Sequence, residues 1–343
     1  MQRHFWIKRL TDRIFMLKNP AFLFSIIFAL SSAAVGQVDD PIKVDSAIVR
    51  VNVGVVDQRG RPIMNLEKGD FVVLEDGVRQ DVARFESTSA PFSVVMLLDM
   101  SGSTRSFRQN IKLSASRFLD ALGPRDRVAV VEFYSKINLL NDFTTNRETA
   151  IQSISVANGG GDTDLYKAIT YSLDKLAKEP SRRKAIVVLT DGVDTQSRND
   201  DRKALSALQP DEMAAALRPD SSDSLVRLLA KADLQGVTIY PLALPTGDPA
   251  RLADPTPLQK ALYGAARSRL RLIAERTGGT LNEIERLDQM AVLYANVAAD
   301  LRTLYTLEYQ PTNLKRDGKW RTIKVEVSNP ELVSRSRTGY FAR

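Results

Sequence analysis

Residues 93–103 read SVVMLLDMSGS, and the fold turns on how this stretch is read. Residues 94–98 are apolar without alternation, as expected for a strand buried on both faces of a parallel sheet covered by helices. Asp99 closes the run, and Ser101 and Ser103 alternate in the loop beyond it, with Gly102 between them to let the backbone turn sharply. A second run, KAIVVLTDG at 184–192, ends in the same manner on Thr190 and Asp191. In open parallel sheets, ligands gather beyond the carboxyl ends of the strands, so both carboxylates are expected at one edge. A third loop, GGGDTDLYKAI at 159–169, adds Thr163 behind three glycines. Asp99, Ser101, Ser103, Thr163 and Asp191 together offer carboxylates and hydroxyls, with no nitrogen or sulfur. That is the ligand chemistry of a small hard cation such as Mg²⁺, which prefers about six oxygens and keeps some of its waters.

Composition removes most competing chemistries. The 343 residues include no cysteine and one histidine, His4, which lies in a segment expected to be removed. Without either residue, a Ser-His-Asp or Cys-His mechanism and a zinc site of the usual Cys/His kind are excluded. Catalysis by carboxylates, lysine or a metal stays open. The absence of cysteine fits export without a disulfide framework. Residues 1–36 read as a secretory signal: Arg3, Lys8, Arg9, Arg13 and Lys18 form a basic leader, AFLFSIIFAL an apolar core, and Ala34-Val35-Gly36 a small-residue cleavage site before Gln37. The apolar stretch at 21–35 is short for a bilayer-spanning helix of about 20 residues, so a membrane link is expected only through export or an uncleaved anchor. Removing the signal takes away five basic side chains and one acidic one, lowering the charge of the chain from +7 by four, to +3. The basic balance therefore owes much to the signal, and no nucleic-acid partner is implied.

Three regions differ in pattern. From 42 to 87 the text is strand-like, with AIVRVNVGVVD alternating and Asp76-Gly77 inside DFVVLEDGVRQDVARFE marking a hairpin. From 90 to about 305, short apolar strands (93–98, 127–133, 185–189, 237–244 and one near Thr280) alternate with helices at 111–122, 165–176 and 225–234. A last helix is expected where Ile284, Leu287, Ala291, Tyr294, Ala298 and Leu301 step by three and four along one face. Two polar stretches, 195–224 with its helical DEMAAALR and 245–257, are expected as surface excursions near one edge of the sheet. SRRK at 181–184 reads as a solvated helix-to-strand turn. From 307 the pattern is strand-like again, with Asp317-Gly318 as a second hairpin turn and Trp320 and Tyr340 as packing residues. The β segments at the two ends are each too small to bury a core alone and are expected to pair. The expected organisation is a signal at 1–36, a β segment at 37–89, an α/β domain at 90–305 and a β segment at 306–343.

The Asp-x-Ser-x-Ser run, Thr163 in TDLYKA and the LTDG strand end resemble a von Willebrand factor type A domain. The flanks NLEKGDFVVLEDG and LRTLYTLEYQP…GYFAR resemble the exported bacterial von Willebrand factor A-related family of acidobacterial type. The resemblance implies a doubly wound, mostly parallel, Rossmann-like sheet with helices on both faces, inserted in or flanked by a small β domain. It also implies a metal ion-dependent adhesion site holding Mg²⁺, or Mn²⁺ or Ca²⁺. By position, Ser101 and Ser103 would bind the ion directly, Thr163 directly or through water, and Asp99 and Asp191 would hold coordinated waters. One position would stay open for an Asp or Glu of a protein partner. The implied protein is an adhesion or interaction protein rather than an enzyme, periplasmic or extracellular in a Gram-negative bacterium. In relatives, movement of the last helix is coupled to metal coordination; here the helix expected from about 287 to 304 leads straight into the terminal β segment, so partner binding is expected to tilt one domain against the other.

Asp162 departs from the family pattern and adds negative charge. Asp162, Asp164 and Asp194 are candidates for a partner-binding rim, although the first two equally suit turn and helix-cap roles and Asp194 a solvated loop. Other readings use the same residues. A metal-dependent hydrolase or phosphotransferase would polarise a phosphoryl group with the ion, but no D-x-D-x-T nucleophile motif is present. A structural envelope component would use the metal for stability alone, and a polar cluster at the strand ends would need no metal. GGGDTD lacks the Lys-Ser/Thr of a phosphate loop.

Overall fold

The computed structural model describes residues 48–179, 183–286 and 289–342. The expected signal and Leu287 lie outside the described residues. The chain opens with strands β1 (Val49–Val56), β2 (Phe71–Glu75), β3 (Val78–Gln80) and β4 (Val82–Glu86). It continues through β5 (Phe92–Asp99), α1 (Arg108–Ala121), β6 (Arg127–Phe133), β7 (Ile137–Thr144), α2 (Arg147–Val156), α3 (Leu165–Ala177) and β8 (Arg183–Thr190). Then come α4 (Thr195–Leu205), α5 (Met213–Ala216), α6 (Asp223–Gln235), β9 (Thr238–Ala243), α7 (Pro257–Thr277) and β10 (Asn282–Glu283). Helix α8 (Met290–Thr303) runs into β11 (Leu304–Tyr309), followed by β12 (Trp320–Val327), β13 (Val333–Ser336) and β14 (Gly339–Phe341).

The central sheet has the order β10-β9-β8-β5-β6-β7 and is parallel except for edge strand β7. Strand β5 shows why its sequence does not alternate. Val94, Met96 and Leu98 pack under α1, α2 and α8, while Val95 and Leu97 pack under α3, α6 and α7. Apolar side chains are needed on both faces, which produces the continuous run. This is the doubly wound, mostly parallel architecture expected, with helices on both faces. Among the described residues no helix is long and apolar enough to cross a membrane.

Strands from the two ends of the described chain build two further four-stranded antiparallel sheets, β13-β1-β11-β4 and β14-β12-β2-β3. Their shared core holds Val51, Val53 and Leu307 from one sheet and Phe71, Val73 and Val325 from the other. The buried Glu75 carboxylate accepts hydrogen bonds from Tyr309 (2.7 Å) and Tyr340 (3.0 Å). Asp76 and Gly77 have φ of 49° and 81°, the left-handed pair a tight turn between β2 and β3 requires. Asp317-Gly318 does not form the second hairpin expected. β11 and β12 lie in different sheets, and the Gly318 amide donates instead to the Ala342 carbonyl.

Three other expectations are corrected. Residues 195–205 are not a surface excursion but helix α4, whose Ser197, Asp201 and Leu205 are buried. Its inner face looks polar because Asp201 forms a buried two-pronged ion pair with Arg269 of α7, at 2.5 and 2.6 Å. The last helix begins at Met290 rather than near Ile284, and the Ile284 amide donates to the Ala243 carbonyl beside β10. Finally, Arg183 is not in a solvated turn, being only 2% exposed. Its guanidinium lies 3.8 Å over the Phe92 ring and donates to the carbonyls of Thr88 (2.7 Å), Ala90 (2.8 Å), Leu301 (3.1 Å) and Leu304 (2.6 Å). Burial pushes its pKa down to about 10. Arg183 thus fastens the segment entering β5 to the junction where α8 becomes β11.

Truncating this side chain leaves several buried carbonyls without a donor. Arg183→Met is expected to lower stability by about 3 kcal/mol in urea unfolding. A loss of about 0.5 kcal/mol, ordinary for an exposed site, would show that the junction does not depend on it.

Candidate metal centre

β5 and β8 are parallel neighbours, paired up to Leu98 and Leu189. One residue further, Asp99 stands beside Thr190, and the Thr190 hydroxyl donates to Asp99 Oδ2 at 2.7 Å. The other carboxylate oxygen, Oδ1, accepts the Ser101 amide at 3.0 Å. Asp191 Oδ1 accepts the Val193 amide at 3.0 Å, and the Ser103 hydroxyl also donates to its carboxylate. Ser101 and Ser103 hydroxyls are 3.1 Å apart. Asp99 and Asp191 are near enough for each charge to act on the other. Four of the five candidate side chains therefore form one connected set. Asp99, Ser101 and Asp191 are buried, and Ser103 is exposed at the surface.

Thr163 reaches the same place through its backbone. The Gly102 amide donates to the Gly161 carbonyl at 2.9 Å, joining the two loops. Beyond it, the Thr163 amide donates to Thr195 Oγ1, and the Thr195 amide to the Thr163 carbonyl, both at 2.9 Å. Thr163 is buried, but among the described residues no hydrogen bond joins its hydroxyl to the other four. Gly159 permits the loop to come this close, because a Cβ there would lie 2.4 Å from the Tyr134 ring and 2.9 Å from the Met100 carbonyl.

The three rim candidates separate. Asp162 is exposed, and Asp164 is half-buried at the start of α3, paired with Lys167 at 3.1 Å. Asp194 is buried. Its carboxylate caps α4 by accepting the Ser197 amide (3.1 Å) and also accepts the Tyr166 amide (3.4 Å). Burial raises its pKa.

Residues that sequence reasoning did not reach hold the loops in place. Arg108 donates to the carbonyls of Met100 (3.0 Å) and Gly159 (2.5 Å) and to Asn158 Oδ1 (2.8 Å), clamping two of the three loops. The Thr104 hydroxyl folds the serine loop back onto the Asp99 carbonyl at 2.8 Å. Arg267, buried on α7, donates to the Asp191 carbonyl at 2.8 Å and to the Leu244 carbonyl. Only a knowledge of which helix packs beside the strand ends would have singled these out.

The electrostatics follow from burial. Removal from water pushes the Asp99 carboxyl up to about 7, and the neighbouring Asp191 charge adds to the rise. Burial also raises Asp191, against the opposing hydrogen bonds of Ser103 and Val193. Among the described residues, no Lys or Arg makes an ion pair with either carboxylate, and no third Asp, Glu, His or Cys joins them. Two anions buried together with hydroxyl oxygens and no cationic side chain suit a hard cation.

Residues 94–193, which contain all five candidates, match the family model described as the von Willebrand factor type A domain. None of the curated proteins matches the chain. Among solved structures, it is similar to the conserved hypothetical protein BatB from Bacteroides thetaiotaomicron, at 15% identity and a TM-score of 0.42 over 61% of this chain and 98% of that one. It is also similar to the vWF domain of the type V pili tip protein Mfa5 from Porphyromonas gingivalis (15%, TM-score 0.45, 61% and 94% of the two chains). A third likeness is to a von Willebrand factor type A protein from Catenulispora acidiphila (14%, TM-score 0.46, 88% and 64%). Residues 94–193 are thus a von Willebrand factor type A domain by family model, in a chain that extends beyond the match on both sides.

Proposed function

We propose that this is an exported interaction protein that takes up an acidic group of a protein partner through a divalent cation held by Asp99, Ser101, Ser103, Thr163 and Asp191. One observation carries the reading: two carboxylates are buried within reach of each other at adjacent strand ends, hydrogen-bonded only by neutral groups. Such a pair needs a proton or a cation, and the hydroxyls of Ser101 and Ser103 add the oxygens a hard cation prefers. A bound Mg²⁺, Mn²⁺ or Ca²⁺ supplies positive charge and a coordination position to an incoming Asp or Glu. On this reading Ser101 and Ser103 touch the ion, while Asp99 and Asp191 orient its waters and leave its charge partly uncompensated. The family-model match across 94–193 supports the same reading. On this reading the resemblance of the flanking sequences supports membership of the exported family of acidobacterial type, with the signal at 1–36 directing the chain out of the cytoplasm.

Magnesium is expected to raise the melting temperature of the wild type and leave Asp99→Ala unmoved. An equal rise in both would remove the metal from the proposal. Thr190→Val keeps the side-chain volume but deletes the hydrogen bond to Asp99, and is expected to weaken magnesium binding about tenfold by calorimetry. Metal-free behaviour has the opposite sign. The folded state raises the Asp99 pKa, so its protonated form is favoured, and stability present below about pH 4 is lost as pH rises through about 7. With excess chelator at about pH 8, Asp99→Asn should therefore melt higher than wild type, by roughly 2–4 °C. A lower melting point would mean the carboxylate is not strained by burial. Phosphate and ester substrates should not turn over with magnesium or manganese. Turnover that Asp99→Ala abolishes would make the chain an enzyme.

A further inference from the structure

A cleft of about 480 Å³ opens directly beside the candidate metal centre, between α4 and the N-terminal half of α7, within the size range of ligand pockets (roughly 300–1,000 Å³). Ser103 and Asp191 form part of its wall, so the cleft and the centre are continuous. Its two sides differ in chemistry. On α4, Arg198 and Arg202 stand four residues apart on one helical face, both exposed, and among the described residues neither guanidinium has a hydrogen-bond or ion-pair partner. Across from them, Leu258 and Leu262 lie one turn apart on α7, both half-buried, and Leu252 in the preceding loop is 43% exposed. Asp194 and Asp201 also line the cleft, but both are buried and satisfied, the first as the α4 cap and the second by Arg269.

We propose that this cleft reads the residues flanking the partner's metal-bound carboxylate. Its occupant is an extended acidic peptide segment with a large apolar side chain beside that carboxylate and a second Asp or Glu that reaches Arg198 and Arg202. The inference rests on the metal-mediated reading above and supplies what that reading lacks, a source of specificity. A single carboxylate on a cation is present on any acidic surface. Two exposed guanidiniums next to the ion, of which Arg198 already acts electrostatically on Asp191, favour a second negative charge and disfavour a basic neighbour. The leucines give the segment an anchor whose burial removes apolar surface from water.

A random-peptide phage library panned against the purified full chain in magnesium tests this. Enriched peptides are expected to combine one Asp or Glu, an adjacent Leu, Ile or Phe, and a second Asp or Glu a few positions away. For a synthetic peptide of that consensus, Arg202→Glu and Leu262→Lys are each expected to weaken binding about tenfold, as a like charge or a buried amine would. Both variants should keep the magnesium-induced rise in melting temperature, which shows that fold and centre are intact, and Asp99→Ala should lose peptide binding altogether. Failure to enrich any peptide, or peptides whose magnesium-dependent binding ignores both cleft variants, overturns the cleft assignment while the metal reading stands. Peptides that bind equally well in EDTA and to Asp99→Ala overturn the metal reading itself, and with it the three-point docking.

Discussion

Two carboxylates at the ends of adjacent parallel strands impose the constraint around which the rest of this structure is arranged. Asp99 and Asp191 are buried, close and without a cationic side chain, although three arginines lie nearby. Arg108 and Arg267 direct most of their donors to backbone carbonyls of the surrounding loops and the rest to Asn158 and Tyr263, and Arg198 stands in solvent. A guanidinium turned onto either carboxylate would neutralise the pair and settle its electrostatics internally. Turned mostly onto the carbonyls, the same groups fix the loop shape and leave both carboxylates without an ion pair, with Arg267 and Arg198 acting on Asp191 only from a distance. Arginine thus holds the loops without neutralising the pair they surround.

The same device recurs at the opposite end of the sheet. Arg183 begins β8, the strand that Asp191 follows, and among the described residues it donates to carbonyls: those of Thr88 and Ala90 on entry to β5, and of Leu301 and Leu304 at the α8–β11 junction. The central sheet is thus fastened to the terminal β-sheets where the chain passes between them. Asn52 of β1 adds a second tie, donating to the Gly236 carbonyl (3.1 Å) and to Thr238 Oγ1 (2.8 Å). A buried cation with several carbonyl partners is specific in geometry, since removing it takes a donor from each of those backbone oxygens at once.

Legibility in the sequence followed burial chemistry. Strands β5, β6, β8 and β9 were readable because parallel strands covered on both faces must be apolar throughout. Helices α3 and α6 were readable because their buried residues repeat at helical spacing. Helix α7, 21 residues long, was missed because its inner face is mostly alanines and two buried arginines, Arg267 and Arg269, with Leu270 and Ile273 as its only large buried apolar residues among those described. Helix α4 was missed for the complementary reason, that its buried Asp201 answers Arg269. Strand β7 was missed because it is an antiparallel edge strand with little burial to pattern it. At the candidate centre, the clustering of Asp99, Ser101, Ser103 and Asp191 was legible because these strand-end carboxylates and loop hydroxyls follow unmistakable apolar runs. Arg108, Arg267 and the capping role of Asp194 were not, because each acts on backbone groups brought near only by the tertiary fold.

The resemblance implies that partner binding tilts one domain against the other through the last helix, and the contacts of α8 define what such a tilt would require. Its C-terminal end is held by the Arg183 bonds to Leu301 and Leu304, and by Asp300, which accepts hydrogen bonds from Tyr240 (2.9 Å) and from Arg335 of β13 (2.6 Å). Arg302 adds a bond to the Ala121 carbonyl at the end of α1. Toward the other end, Met290 and Tyr294 are fully buried, with the Tyr294 ring 5.4 Å from that of Phe118. Sliding α8 along α1 exchanges apolar contacts for similar ones, whereas pulling its C-terminal end away breaks several buried hydrogen bonds at once. Because Thr303 passes directly into β11, and Asp300 is bonded to β13, a displacement that keeps those bonds must carry β11 and β13 with the helix. Motion confined to α8 is therefore disfavoured, because its C-terminal end is also bonded to Arg183 of β8 and Tyr240 of β9, and β11 is itself paired with β1 and β4.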